Sequence, residues 1–189
     1  MTAPQRFVIV GAGLAGAKAA ETLRDEGVTG PVRLIGTESE PPYERPPLSK
    51  QYLAGTAERD TIFVHGPDWY DEHDIELSLG TAAVDLDVEA HEVTLSTGEK
   101  VGYDKLLLAT GSRARRIRIP GADLAGVREL RTVADADRLR QDLSDGGRRV
   151  VIVGAGWIGL ETAAAARGFG NEVTVIEPQP VPLRAALGD

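Results

Sequence analysis

The sequence predicts an α/β protein built on two βαβ units, with a small antiparallel sheet inserted in the first. Three observations predict it. A short apolar run followed by three spaced glycines occurs twice, as Val8-Ile9-Val10-Gly11-Ala12-Gly13-Leu14-Ala15-Gly16 and as Val151-Ile152-Val153-Gly154-Ala155-Gly156-Trp157-Ile158-Gly159. Each copy runs on into an Ala-rich stretch and a second β-branched run. Between the copies, residues 81–87 and 91–96, with a turn at Thr97-Gly98, read as antiparallel strands. Gly11 and Gly154 stand 143 residues apart, too far for a solenoid repeat, so the echo marks two similar units rather than an array.

The elements follow in chain order. Phe7 to Val10 is a short, wholly apolar run, as expected of a strand buried on both faces of a parallel sheet. Gly11, Gly13 and Gly16 then form G-x-G-x-x-G: the first glycine permits a tight turn, the second lets a pyrophosphate approach the backbone, and the third lets helix pack on strand. Residues 14–26 are rich in good helix formers and Gly27 is a natural stop. Val32 to Ile35 is the next strand. A diphosphate is expected at the helix N-terminus, where free N–H groups and the positive dipole end converge.

The second unit repeats this grammar, with a strand at 150–153, the glycine turn, a helix at 160–169 and a strand at 172–176. Glu177 stands at the strand tip, 23 residues after Gly154. A carboxylate there can accept both ribose hydroxyls of NAD and repel the 2′-phosphate of NADP. Glycine turns alone also arise for structural reasons, but strand, motif, helix, strand and terminal acid together point to two Rossmann-like dinucleotide-binding units. At the corresponding tip of the first unit Thr37 precedes Glu38. Glu38 is the candidate for an adenosine ribose, Glu40 is the fallback, and a solvated loop is the structural alternative.

Composition sets the outer limits. The 189 residues are 42% hydrophobic and 26% charged, with a net charge of −8. Such a chain can bury a real core, and its acidic balance argues against nucleic acid as the main partner. It contains no cysteine, which excludes disulfides, cysteine-ligated metal centres and thiol nucleophiles within these residues. No apolar run reaches the length of a membrane span. The apolar N-terminal run carries three glycines, which suit a turn better than a secretion helix. The expectation is a soluble, cytoplasmic protein.

Between the units, Pro41-Pro42-Tyr43-Glu44-Arg45-Pro46-Pro47-Leu48-Ser49-Lys50 could be a rigid linker or a polyproline ligand. Placed directly after a nucleotide-binding unit, it resembles the flavin-contacting segment of the FAD-dependent ferredoxin reductases. These include the putidaredoxin and rubredoxin reductases and the reductase components of aromatic-ring dioxygenases, within the pyridine nucleotide-disulfide oxidoreductase superfamily. Apoptosis-inducing factor has a similar segment. Leu106-Leu107-Leu108-Ala109-Thr110-Gly111-Ser112 resembles that family's second flavin motif, and Ile119-Pro120-Gly121-Ala122 with Glu129-Leu130-Arg131-Thr132 resembles the crossing into its NAD domain.

The resemblance implies an FAD-binding domain at 1–112 and the opening of an NAD-binding domain at 113–189. Family members continue past this point, so it also implies an amino-terminal portion. By the same resemblance, Lys50 lies beside the flavin ring paired with Glu161, and the FAD contacts include Leu14, Ala15, Arg45, Ala83, Ala109, Thr110, Gly111 and Arg131. Trp157 and Ile158 fall in the NAD turn. Several relatives carry an acid where this chain has Thr37, which bears on the role of Glu38. The implied activity is electron transfer from NADH through FAD to a ferredoxin- or rubredoxin-type protein. Two alternatives stand beside it: a non-catalytic or truncated dinucleotide-binding module, and an NADH oxidase or apoptosis-inducing-factor-like flavoprotein.

Other residues carry weaker signals. His65, His73 and His91 show no metal-ligand spacing, and Trp69 and Tyr70 read as core anchors. Arg113, Arg115, Arg116 and Arg118 read as a solvated linker, or as a docking contribution for an acidic electron carrier. Ser49 lacks the S-x-x-K spacing of a nucleophile. No hydrolytic constellation is present, which leaves the chemistry to cofactors.

Overall fold

The computed structural model describes residues 4–188. They form two compact units, one of residues 4–44 and 63–112, the other of residues 45–62 and 113–188. Residues 45–62 lie within residues 1–112 of the sequence reading and group here with residues 113–188.

In the first unit, β1 (Phe7–Val10), β2 (Val32–Ile35), β3 (Ile75–Ser78) and β7 (Lys105–Leu108) form a parallel sheet in the order β3-β2-β1-β7. The helix α1 (Leu14–Asp25) joins β1 to β2. Because β1 has β2 on one side and β7 on the other, the loop leaving its C-terminal end sits at a topological switch point, where open α/β sheets take their ligands. Both faces of β1 are covered, which explains its unbroken apolar run. Ile9 packs with Ala20, Leu34, Tyr70 and Ile75, while Val8 and Val10 pack with Ile35, Val93, Leu95 and Tyr103. The second group includes the antiparallel sheet of β4 (Ala83–Asp87), β5 (Glu92–Leu95) and β6 (Lys100–Gly102). Two of these strands are those expected, shortened at their ends. The third, and the parallel strand β3, were not expected. A short helix, α2 (Trp69–Glu72), buries Tyr70 and leaves the Trp69 ring stacked between His65 and His73. The three rings thus form one local stack.

In the second unit, α3 (Val133–Leu143) precedes a parallel pair, β8 (Arg149–Val153) and β9 (Glu172–Ile176), joined by α4 (Trp157–Gly168); α5 (Arg184–Leu187) follows. Helix α3 was not foreseen, although Thr132-x-x-Asp135 is its sequence signature. Thr132 accepts from the Asp135 N–H, and Asp135 accepts from the Thr132 N–H at 2.9 Å. Helix α4 begins three residues before the expected start because Trp157, Ile158 and Gly159 are already helical. The arginine-rich stretch is exposed and irregular, with Arg116 paired to Glu129 at 2.9 Å. Among the described residues, no helix is long and apolar enough to cross a membrane.

Asn171 ties the second unit together. Fully buried, it donates to the carbonyls of Leu143 and Ala166 at 2.9 and 3.0 Å and accepts from the Arg148 N–H at 3.1 Å. Asn171→Ala removes these three bonds, although the Leu143 and Ala166 carbonyls each keep a backbone donor, and the expected loss is about 3 kcal/mol, on the scale of three net hydrogen bonds. Denaturant unfolding of the variant checks this through its midpoint.

Candidate functional site

The glycine loops follow directly from β1 and β8. In the first, Gly11 has φ +124°, and a Cβ there would lie 2.1 Å from the Ala109 carbonyl oxygen. A Cβ at Gly16 would lie 2.0 Å from the Gly11 carbonyl oxygen. Both glycines are therefore required by the fold. Gly13 is different, because a Cβ there would have no neighbour within 4 Å. The protein does not fill that space, and Gly13 is the N-cap of α1 with no side chain capping it. An uncapped helix N-terminus beside open space fits a diphosphate.

The second loop matches it. A Cβ at Gly159 would lie 2.1 Å from the Gly154 carbonyl oxygen, whereas one at Gly156 would meet nothing within 4 Å. Gly156 likewise caps α4 without a side-chain bond. Leu14 and Ala15 in the first turn of α1, and Trp157 and Ile158 in that of α4, are exposed beside these loops.

The other residues of the first unit gather on the same sheet end. The Ala109 N–H donates to the Val10 carbonyl at 2.7 Å, which brings the end of β7 against the Gly11 turn. Thr110 and Gly111 follow it, both exposed. Ala83 opens β4 and packs against the cluster that contains Val10 and Ile35. Glu38 is half-buried and accepts a hydrogen bond from the Tyr43 hydroxyl. Tyr43 itself is buried, so the proline-rich block begins by fixing this carboxylate.

In the second unit, Glu177 accepts from the Ala155 N–H at 2.6 Å and from the Gln179 N–H at 2.9 Å. These two bonds hold its carboxyl below the usual carboxylate range, with the Ala155 bond the larger cause. The acid at the strand tip is thereby locked onto the glycine turn.

The proline-rich block forms one tight helical turn, Pro46–Ser49, rather than a longer helix. Pro46 and Pro47 start it and Leu48 buries. Arg45 donates to the Arg131 carbonyl at 2.6 Å, so the two arginines named from the resemblance are neighbours. Lys50 pairs with Glu161 of α4 at 2.9 Å. The Ser49 hydroxyl donates to the other carboxylate oxygen of Glu161 at 2.5 Å. Burial raises the Glu161 pKa, but Ser49 and then Lys50 outweigh it and hold the carboxyl below its ordinary value.

Sequence reasoning missed Ser49, which was tested only as a nucleophile. It also missed an anchor further along. Tyr52 is buried and donates to Asp137 of α3, and Arg59 reaches Asp137 at 2.6 Å and the Tyr52 oxygen at 3.1 Å. Burial first, and then the bond to Asp137, raises the Tyr52 pKa. Only the aromatic in the stretch after Lys50 could have signalled it.

A family model described as pyridine nucleotide-disulphide oxidoreductase matches residues 5–188. The chain belongs to this family. Among its relatives, the chain is 43% identical to the rhodocoxin reductase of Rhodococcus erythropolis over 96% of this chain and 42% of that protein. It is 46% identical to the rubredoxin-NAD(+) reductase of Pseudomonas putida over 92% of this chain and 45% of that one. The crystal structure of the ferredoxin reductase for the CYP199A2 system of Rhodopseudomonas palustris matches with a TM-score of 0.91 at 38% identity, covering 97% of this chain and 45% of that chain. The chain thus spans less than half the length of these family members. The disulphide in the family's name has no counterpart among these residues, which contain no cysteine.

The Glu177 bonds give a pH prediction. Because the folded pKa lies below the ordinary value, the carboxylate grips the loop at neutral pH and loses its grip as pH falls through that lowered pKa. The protection factor of the Ala155 amide, followed by NMR exchange, is expected to be high at neutral pH and to fall as pH drops through the Glu177 transition. In Glu177→Ala the protection is low at every pH.

Proposed function

We propose that the protein of which this chain forms part is an FAD-dependent NADH oxidoreductase that passes electrons from NADH to a ferredoxin- or rubredoxin-type carrier. One observation supports it most. Each unit has an uncapped helix N-terminus facing space that its own second glycine leaves empty, so each has room for one dinucleotide diphosphate. Two dinucleotides in one chain suit a donor and an intermediary. The names of the relatives, reductases of rubredoxin, rhodocoxin and ferredoxin, supply the class of acceptor. A cytoplasmic location, where NADH is made and used, goes with this reading.

FAD, when bound, supplies the conversion between a two-electron donor and one-electron acceptors. This chain's residues bind and tune. The first loop, Gly11, Gly13 and Gly16, would take the FAD diphosphate, with Leu14, Ala15, Ala83, Ala109, Thr110 and Gly111 around it and Arg45 and Arg131 as further contacts. Glu38, fixed by Tyr43, is the proposed adenosine-ribose acceptor. The second loop, Gly154, Gly156 and Gly159 with Trp157 and Ile158, would take NADH. Glu177 would accept its ribose hydroxyls.

Lys50 is proposed as the cation that offsets negative charge on the reduced cofactor, and Glu161 as the group that holds Lys50. A carboxylate and an ammonium partly removed from water favour pairing, as the 2.9 Å contact supports.

Two predictions follow for the full-length enzyme. NADH is expected to be preferred over NADPH by about tenfold or more, because Glu177 presents like charge to a 2′-phosphate. Steady-state comparison of the two donors checks this, and Glu177→Ala narrows the gap. Equal use of both donors by the wild-type protein would overturn the role of Glu177. Lys50→Gln and Glu161→Gln are each expected to slow reduction of bound FAD by NADH about tenfold or more, with the fold intact by circular dichroism. Rapid mixing of the oxidised protein with NADH gives the rates. Wild-type rates in both variants would sink the proposed role of the pair.

A further inference from the structure

The partners of Glu161 are unequal. Lys50 reaches it from a long side chain that is 45% exposed, while Ser49 reaches it from a residue that is only 5% exposed. Lysine's four-carbon stem gives its charge many positions, and solvent screens the pair. The serine hydroxyl has one bond to turn about, and its backbone is fixed. The Leu48 N–H donates to the Arg45 carbonyl and the Lys50 N–H to the Pro47 carbonyl, both at 3.0 Å, and Leu48 is buried. Glu161 is the fifth residue of α4, an element with its own hydrogen-bonded frame. Its two carboxylate oxygens are divided, one to the buried hydroxyl and one to the exposed ammonium.

We propose that Ser49 is the positioning residue of this pair, holding Glu161 in one rotamer by its hydroxyl so that the carboxylate keeps its place and its charge while Lys50 moves. This rests on the role proposed above for Lys50 and Glu161 and adds a division of labour. A lysine that must follow a changing charge on a cofactor cannot also be the only anchor of its counter-ion. Ser49 removes that conflict. Once Lys50 turns away, a half-buried carboxylate with no other donor tends to take up a proton. With the hydroxyl in place it stays ionised and ready to take Lys50 back. Both donors lower the Glu161 pKa against the effect of burial. Lys50 is the charged group that faces Glu161 among the described residues.

The test uses the full-length flavoprotein with glutamate labelled by ¹³C at the carboxyl carbon, and Glu161 is assigned by the signal lost in Glu161→Gln. Ser49→Ala and Lys50→Met are each expected to raise the Glu161 pKa, because each removes a donor that favours the ionised carboxylate. In rapid mixing, Ser49→Ala slows the saturating rate of FAD reduction while the apparent Kd for NADH stays within about twofold, and Ser49→Thr restores most of the rate. A Glu161 pKa unchanged in Ser49→Ala overturns the proposal. So does a Lys50→Met variant whose Glu161 is protonated at neutral pH with Ser49 in place, and this arm decides the matter even if Ser49→Ala does not fold. If Lys50→Gln and Glu161→Gln reduce FAD at the wild-type rate, the catalytic reading of the pair fails separately, and the titrations still decide whether Ser49 holds Glu161.

Discussion

Both units depend on one close approach, that of the helix after the glycine loop to the strand before it. At Gly16 and Gly159 there is no space for a methyl group between the helix and the carbonyl of the loop's first glycine. That contact sets the helix axis, and with it the direction of the free N–H groups at the helix start. Small residues continue the approach. Ala17 and Ala20 bury in α1, and Ala165 and Ala166 in α4. A larger side chain along this line would push the helix outward and turn its N-terminus away from the space left beside Gly13 or Gly156. Packing at the third glycine therefore determines the geometry at the second, where the protein leaves room that it does not use itself.

The proline-rich segment obeys a different constraint. It has no strand to pair with, so side chains fix it at intervals. Arg45 bonds the Arg131 backbone, Leu48 buries, Ser49 and Lys50 meet Glu161, and Tyr52 with Arg59 grips Asp137. Two of these anchors lie on α3 and α4, elements far from the segment in sequence. The proline pair shortens the helical tendency to a single turn, which leaves Ser49 and Lys50 adjacent at its end. Adjacent residues at the end of a tight turn can reach one carboxylate from two directions, which an extended α-helix would not allow them to do.

This contrast explains what was legible in the sequence. The βαβ units were readable because strand burial, glycine turn and helix each leave a local, periodic trace, and Glu177 was readable because its position is fixed by register. The Lys50–Glu161 contact was reached only through resemblance, since nothing local links residues 111 apart. Ser49 was passed over because it was judged by the spacing of a nucleophile, whereas its role is to donate to a carboxylate on another element. Helix α3 lay behind a T-x-x-D cap that was not weighed. Strand β3 is only four residues long, and its alternation of Ile75, Glu76, Leu77 and Ser78 follows directly on a polar run. Short edge elements of this kind take their structure from a neighbour, here β2, rather than from their own pattern.

The two strand-tip acids are held in different ways. Glu177 is bonded to the N–H of Ala155, inside the glycine turn, so its carboxylate leans toward the loop. Glu38 is bonded instead to the hydroxyl of Tyr43, in the segment that follows it, and its own carbonyl accepts from the Gly80 N–H at 2.8 Å. The acid of the second unit is thus oriented by the motif itself, and that of the first by the chain's onward path. An acid oriented by the motif keeps one relation to the glycine turn whatever follows it. An acid oriented by the following segment depends instead on where that segment places Tyr43.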